Sequence, residues 1–343
     1  MKQDRTGGAY LPRGVRGHQS PLVHLWCGGR LADAEMVRWR TADLADYLVY
    51  LIDGRPCDSL FRAVLFSPNR APSGRFLNPV YTGFTPPADA EDWQAWLDEL
   101  FHPGYNLSAL AAAAASGPPA VAPVDVWITV PYPDPRLASF RTGWGSALHF
   151  AHTGDRVAAV TRFVDDLLHR WRQAGLCGTL RLRGLRWPRT VLDEADADVI
   201  AKVSEAVHAA GLDWLWLTHY GAARAADWAQ LGFDAAVLHP NCYGRTVCDR
   251  QWIHHAALFA RVHGCGLHLV FGRGLLHHPR DAYDYLNLGL PGELGYVDEA
   301  FCVVSFPGTS PRTLYEEDLP LYIAVYSFAK GILRMPVPLP LSR

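Results

Sequence analysis

TLRLRGLRW (179–187), LDWLWLTHYG (212–221) and AAVLHPNCYG (235–244) are three apolar runs separated by stretches of helical pattern. Each ends abruptly in polar, aromatic or ring-nitrogen residues: Arg186 and Trp187, then His219 and Tyr220, then His239, Asn241 and Tyr243. Short runs rich in Leu, Val and Trp that alternate with helices read as βαβ units, whose parallel strands are buried on both faces. The carboxyl ends of such strands share one rim, and that rim is where α/β folds place their chemistry.

Working outward, further apolar runs begin near residues 21, 61, 124, 266 and 301, which with those near 179, 212 and 235 gives eight. Helical patterns lie between them; Val160, Phe163, Val164, Leu167 and Trp171 recur at steps of three and four, placing one buried helix face over 154–174. Eight strands alternating with helices predict an α/β fold, a (β/α)8 TIM barrel forming a single domain over 21–343, with a long excursion at 68–123 after strand two. That excursion leaves the carboxyl end of its strand and is expected over or beside the rim. Residues 1–20 read as a polar, Gly-rich arm that frays. The segment 277–296 reads as a long polar and aromatic loop.

A chain of 343 residues, 49% hydrophobic and 19% charged, can bury one large core. Its net charge of -2 and the lack of a Lys/Arg stripe argue against nucleic acid as a partner. No apolar run approaches a membrane span and the first residues show no signal-peptide pattern, so a cytoplasmic protein without a membrane partner is expected. Seven scattered cysteines suit reduced thiols better than a disulfide framework, and the spacing of Cys242 and Cys248 does not match a metal pair. No glycine-rich nucleotide-binding pattern occurs, and nothing fixes an oligomeric state.

The patterns LDELF and NLSAL in the second loop, GLRW closing the fourth strand, WAQLGFDAAVLHPN, and the terminal LYIAVYSFAKG together resemble a family of bacterial domains of unknown function with a glycoside-hydrolase-like barrel. The resemblance spans most of the chain. It implies a Glu three residues after the Trp that closes strand four, and one or two Glu in strand seven, the two carboxylates of a glycosidase. This chain departs from that pattern. Thr190 stands where the first Glu is implied, and strand seven reads Leu267-His268-Leu269-Val270-Phe271. Neither Thr nor Val can replace a carboxyl group in proton transfer or in attack on an anomeric carbon. Asp193 and Glu194 look like the first turn of a helix, which leaves Glu293, Asp298 or Glu299 as the acids that a following loop could supply.

Histidine takes the place of the acids. His219, His239 and His268 lie on neighbouring strands, where inward imidazoles at similar height could converge. They are candidate acid/base groups together with Tyr220, or three ligands of a catalytic zinc or similar divalent metal; separately hydrogen-bonded lining residues are the plainer alternative. His277 and His278 are expected to face solvent. Arg181 and Arg183 share one face of strand four, so Arg183 anchors an anionic group if that face points inward and is solvated if it points outward. Arg186 then occupies the other face beside Trp187, a candidate platform for a sugar ring, and in a glycosidase-related enzyme either Arg183 or Arg186 holds an anionic group. Asn241, Tyr243, Tyr132 and Asp134 complete the candidate ligand contacts. Three functions follow: a glycosidase-related enzyme acting on a sugar or similar polyhydroxylated small molecule, a metal-dependent hydrolase or lyase, or an inactive carbohydrate-binding pseudoenzyme.

Overall fold

The computed structural model describes residues 8–29, 36–79, 86–118, 121, 123–141, 147–241 and 249–339. Eight parallel strands form the centre: β1 (Leu22–Gly29), β2 (Ala63–Pro68), β3 (Val124–Thr129), β4 (Leu180–Trp187), β5 (Asp213–His219), β6 (Ala235–His239), β7 (Gly266–Val270) and β8 (Cys302–Ser305). They pair in chain order, and β8 returns to β1 through Leu22↔Val303 and Val23↔Val304, which closes the barrel. The expected (β/α)8 architecture is therefore present, because runs such as VDVWIT bury every residue between a barrel interior and a helical shell.

The shell consists of α1 (Thr41–Leu48), α2 (Ala90–Leu100), α3 (Asn106–Ser116), α4 (Thr153–Gln173), α5 (Glu194–Ala209), α6 (Arg250–His263), α7 (Asp281–Leu288), α8 (Tyr296–Glu299), α9 (Pro311–Glu317) and α10 (Leu319–Ala329). Between β5 and β6 a 3-10 segment, Ala225–Leu231, takes the place of a longer helix. The 277–296 stretch is not one loop, since Tyr283, Tyr285 and Leu286 are buried on α7. No helix among the described residues is long and apolar enough to cross a membrane.

The excursion after β2 divides in two. Residues 69–79 follow the rim, where Leu77 N donates to Asn69 O at 3.0 Å and Tyr132 N donates to Leu77 O at 2.9 Å. Then α2, started by the Asp89 carboxylate accepting from Glu91 N and Asp92 N, packs with α3 against the barrel wall. Trp96 donates its indole N–H to Thr129 O at 3.1 Å. Trp93, Trp96 and Leu97 share one apolar core with barrel residues, so the helices are part of the same domain core.

The arm does not fray over residues 8–20. Leu11 N donates to Cys265 O at 3.0 Å and Phe301 N to Leu11 O at 2.7 Å, so the arm pairs with the ends of β7 and β8. Arg13 donates to the carbonyls of Val297, Phe328 and Ala329. Leu11 joins Leu22, Leu65, Trp127, Leu215, Val237, Phe301 and Val303 in the barrel interior. The arm thus stoppers the amino-terminal end of the barrel with an apolar side chain, while its polar groups find carbonyls at distant helix ends.

One irregularity decides which side chains enter the barrel. The β3–β4 ladder pairs Asp125 with Arg181 and Val126 with Leu182, then slips, pairing Trp127 with Gly184 and Thr129 with Arg186. Arg183 is the extra, bulged residue. Before the slip, Arg181 faces Asp125; after it, Gly184 and Arg186 lie beside the inward Trp127 and Thr129, while Leu185 and Trp187 face the shell. A glycine is required at the slip, because a Cβ on Gly184 would stand 2.3 Å from the Trp127 ring and 2.4 Å from Asp213 O.

Candidate active site

Above the apolar interior, most strands contribute one polar side chain to a ring at the carboxyl end: His24 from β1, Ser67 from β2, Thr129 from β3, Arg186 from β4, His239 from β6, His268 from β7 and Ser305 from β8. From β5, Leu217 and His219 line the opening. A cavity of about 690 Å3 opens over this ring, walled by Trp26, Trp39, Tyr47, Val37, Val270 and Phe306. Its size is ordinary for a small-molecule pocket.

The ring is linked by hydrogen bonds. His24 Nε2 lies 2.8 Å from Ser67 Oγ, which lies 2.6 Å from Thr129 Oγ1. The buried Arg186 guanidinium donates to Ser67 Oγ at 3.3 Å and to Pro188 O at 3.2 Å. The Asn78 amide, in the orientation that satisfies both its ends, accepts from Arg186 at 3.3 Å and donates to Pro188 O. On the opposite side, His268 Nε2 lies 2.5 Å from Ser305 Oγ, and the His268 ring is 5.4 Å from that of His239 and 5.9 Å from that of His24.

His239 Nδ1 accepts from Asn241 N at 2.9 Å, which leaves the ring proton of the neutral imidazole on Nε2. Asn241 adopts the left-handed conformation (φ 64°), and its side-chain amide lies 2.9 Å from His219 Nδ1 and 3.2 Å from Tyr220 O. His219 Nδ1 is thereby tied down, and its half-exposed ring faces the cavity.

Burial sets the charge state of these groups. It pushes the His239 imidazole down to about 3, helped by the neighbouring His277. His268 is held far below the ordinary imidazole range, first by burial and then by His239, His24 and Arg186; His24 is held there by burial and by Arg186. Burial also lowers the Arg186 guanidinium to about 9. At neutral pH the ring therefore holds neutral imidazoles and one positive charge. None of the described residues that line the cavity is Asp or Glu.

The geometry brings His219, His239, His268, Arg186 and Asn241 to one cavity and sends the other candidates elsewhere. Arg183 lies at the opposite end of the barrel, donating to His18 Nδ1 and Arg16 O and standing 3.7 Å from Asp125, so it is no ligand anchor. Trp187 is fully buried in the shell, edge-on to Tyr132 and Trp214, because the bulge turns it outward. Tyr132 is buried as well: its hydroxyl donates to Asp196 and accepts from Arg189 beneath α5. Asp134 is buried in a 2.6 Å pair with Arg136. Tyr220 packs its ring against Trp252 and Phe259 on α6. Tyr243, Cys242 and Cys248 lie outside the described residues.

The three-histidine metal centre is corrected too. Among the described residues no three His, Cys, Asp or Glu side chains form a metal-ligand set. Physically, Asn241 N on Nδ1 leaves the His239 ring proton on Nε2, and His268 Nε2 lies against Ser305 Oγ, so neither imidazole offers Nε2 to a shared ion. His277, expected in solvent, is half-buried and lines the cavity. Asp193 and Asp196 cap α5, while Glu299 O accepts from the arm's Arg13 and Asp298 pairs with Arg334 at the stoppered end, so none of these acids serves the rim. The sequence reading missed His24, Trp26, Asn78, Ser67, Thr129 and Ser305. The first two carried a signal, since His24 and Trp26 stand two apart at the end of a strand that closes in glycines. Trp26 is 42% exposed and tilted over His24 at 4.7 Å, and Trp39 braces it through an indole N–H to Trp26 O at 2.9 Å.

Residues 27–289 match the family described as Domain of unknown function (DUF4855), and the chain belongs to that family. No curated protein matches it. Among solved structures it is similar to a GH5-4 broad specificity endoglucanase from an uncultured bacterium, at 10% identity and a TM-score of 0.42, covering 95% of this chain and 97% of that one. It is also similar to a mutant tryptophan synthase alpha-subunit from the hyperthermophile Pyrococcus furiosus, at 12% identity and a TM-score of 0.41, covering 91% and 96%. Likeness at this level carries no argument about chemistry.

Proposed function

We propose that this DUF4855 chain acts on a sugar or a similarly hydroxylated small molecule held over the barrel mouth, with imidazole instead of a carboxylate pair moving the proton. The observation that carries this reading is the pairing of a ring of hydroxyl, imidazole and guanidinium groups with an exposed indole, Trp26, at its edge. Hydroxyl-rich ligands need many alternating donors and acceptors, and the flat apolar face of a sugar ring stacks on an aromatic side chain.

The neutral imidazoles of His239 and His268 serve as hydrogen-bonding groups, because a base pushed far below neutrality takes up a proton poorly. His219 is the acid/base group of this reading. It sits at a strand end, half-exposed, with Nδ1 held 2.9 Å from the Asn241 amide and 3.0 Å from Tyr220 O, which fixes the ring and leaves Nε2 for proton transfer. Carboxylate-dependent glycoside hydrolysis is not part of the proposal, since no acid lines the described cavity.

The test is a panel of glycosides and free sugars offered to the parent protein, His219→Ala and Trp26→Ala, with binding and turnover measured separately. The reading expects Trp26→Ala to weaken binding and His219→Ala to abolish turnover while binding persists. Binding without turnover in the parent would make the chain a carbohydrate-binding pseudoenzyme. Absence of any sugar binding would overturn the reading.

A further inference from the structure

Arg186 is 2% exposed and lies in the cavity lining, yet among the described residues no carboxylate accompanies it. Its contacts are all to neutral acceptors: the hydroxyls of Ser67 and Thr129 at 3.3 and 3.5 Å, Asn78 at 3.3 Å, and the carbonyl of Pro188 at 3.2 Å. Its Nε makes no hydrogen bond, and neither does the buried His24 Nδ1. The other buried arginines are treated differently. Arg156 pairs with Asp196 at 2.5 Å, and Arg189 pairs with Asp193 at 2.6 Å and Asp196 at 3.2 Å. A buried cation without a counter-charge is expensive, so a fold that pairs its other buried guanidinia has left this one for something that arrives from outside.

From this geometry, and resting on the sugar-binding reading above, we infer that Arg186 is the receptor for a carboxylate and that the ligand class is an acidic sugar of the uronic-acid type. Three features select this class. The guanidinium is planar and matches a carboxylate in a forked pair of hydrogen bonds. It supplies one fixed positive charge among neutral hydroxyls and imidazoles, so a monoanion is compensated and a dianion is left with excess charge in a desolvated site. The cavity of about 690 Å3 and its Trp26 edge provide for a ring with hydroxyl groups on the far side of that carboxylate.

The experiment titrates the full chain with methyl glucoside, methyl glucuronide and cyclohexanecarboxylate, using calorimetry and tryptophan fluorescence. A charge-assisted pair predicts that the glucuronide binds about tenfold or more tightly than the glucoside. Arg186→Gln removes that preference by lowering glucuronide affinity far more than glucoside affinity, and Arg186→Lys keeps part of it. Thermal unfolding of ligand-free Arg186→Gln gives a midpoint equal to or above the parent's, because an uncompensated buried charge has gone; a clear fall would mark Arg186 as a structural group and overturn the inference. Equal affinity for glucoside and glucuronide, or a preference that survives Arg186→Gln, also overturns it while leaving the sugar-binding reading standing. Cyclohexanecarboxylate binding as tightly as the glucuronide, with no glucoside binding, would uphold the carboxylate receptor and remove the sugar reading. If none of the three ligands binds, both fall.

Discussion

The Trp127 indole fills the space that any side chain at Gly184 would occupy, a Cβ there coming within 2.3 Å of its ring. The contact is the hinge of the site, since the register slip between β3 and β4 lies at this pair and sends Arg186 inward and Trp187 outward.

Gly184→Ala should therefore act at two levels. Overpacking beside a fully buried ring costs about 1–3 kcal/mol, and neither Trp127 nor the Asp213 carbonyl can retreat cheaply. Urea unfolding should show the loss, and any ligand that depends on Arg186 should bind more weakly to the folded variant. A variant as stable as its parent would show that the slip tolerates a side chain.

Acid should weaken the fold through the rim. The His239 imidazole is pushed from its ordinary 6.5 down to about 3, with His268 and His24 also held low, mainly by burial. The folded-state values lie below the unfolded ones, so as pH falls the unfolded chain takes up these protons first. The stability these groups contribute is complete above their unfolded range and is lost as pH drops from about 6.5 toward 3. The slope is at most about 1.4 kcal/mol per pH unit for each histidine. Urea midpoints measured between pH 7.5 and 4.5 should fall more steeply for the parent than for His239→Asn, and parallel curves would contradict the assignment.

The stoppered end of the barrel should be the more fragile one. Asp125 is fully buried, accepts from Arg181 at 2.7 Å and from Gln19 N at 3.2 Å, and so ties the arm to β3 and β4. Asp125→Ala frees Gln19 and leaves the half-exposed Arg181 to solvent, and the lost charge-assisted hydrogen bonds cost roughly 1–3 kcal/mol. Limited proteolysis should then cut near residues 13–20, where the parent resists. Unchanged resistance would show that the arm holds without this anchor.

How much of this could be read beforehand depended on whether a feature formed a run or a repeat. The strands were legible as short, near-continuous apolar runs such as VDVWIT, and most helices because their apolar residues repeat at three and four, as along α4 from Val160 to Trp171. His219 and His239 were found because an imidazole closing an apolar run is conspicuous, and His268 because it interrupts one. Trp187 and Arg183 were misjudged for one reason: a period-two count through Gly184 misses the extra residue, and every side chain after it changes face. Ser67, Thr129 and Ser305 gave no local signal, since one hydroxyl among valines looks ordinary until register sets it beside its neighbours. The arm looked like a loose end because its partners, the carbonyls of Val297, Phe328 and Ala329, belong to distant helix ends.

The apolar plug beneath the rim has a topological consequence. Trp127, Leu215, Val237, Phe301 and Val303 fill the barrel from strand to strand, and Leu11 seals the end below them. Among the described residues no passage runs through the barrel, so the chamber opens on the carboxyl side. A ligand must come in and go out by the same route, past Trp26 and the segment from Phe306 to Ser310. A polymer cannot thread through the barrel; whatever binds over the ring approaches and leaves on the same face.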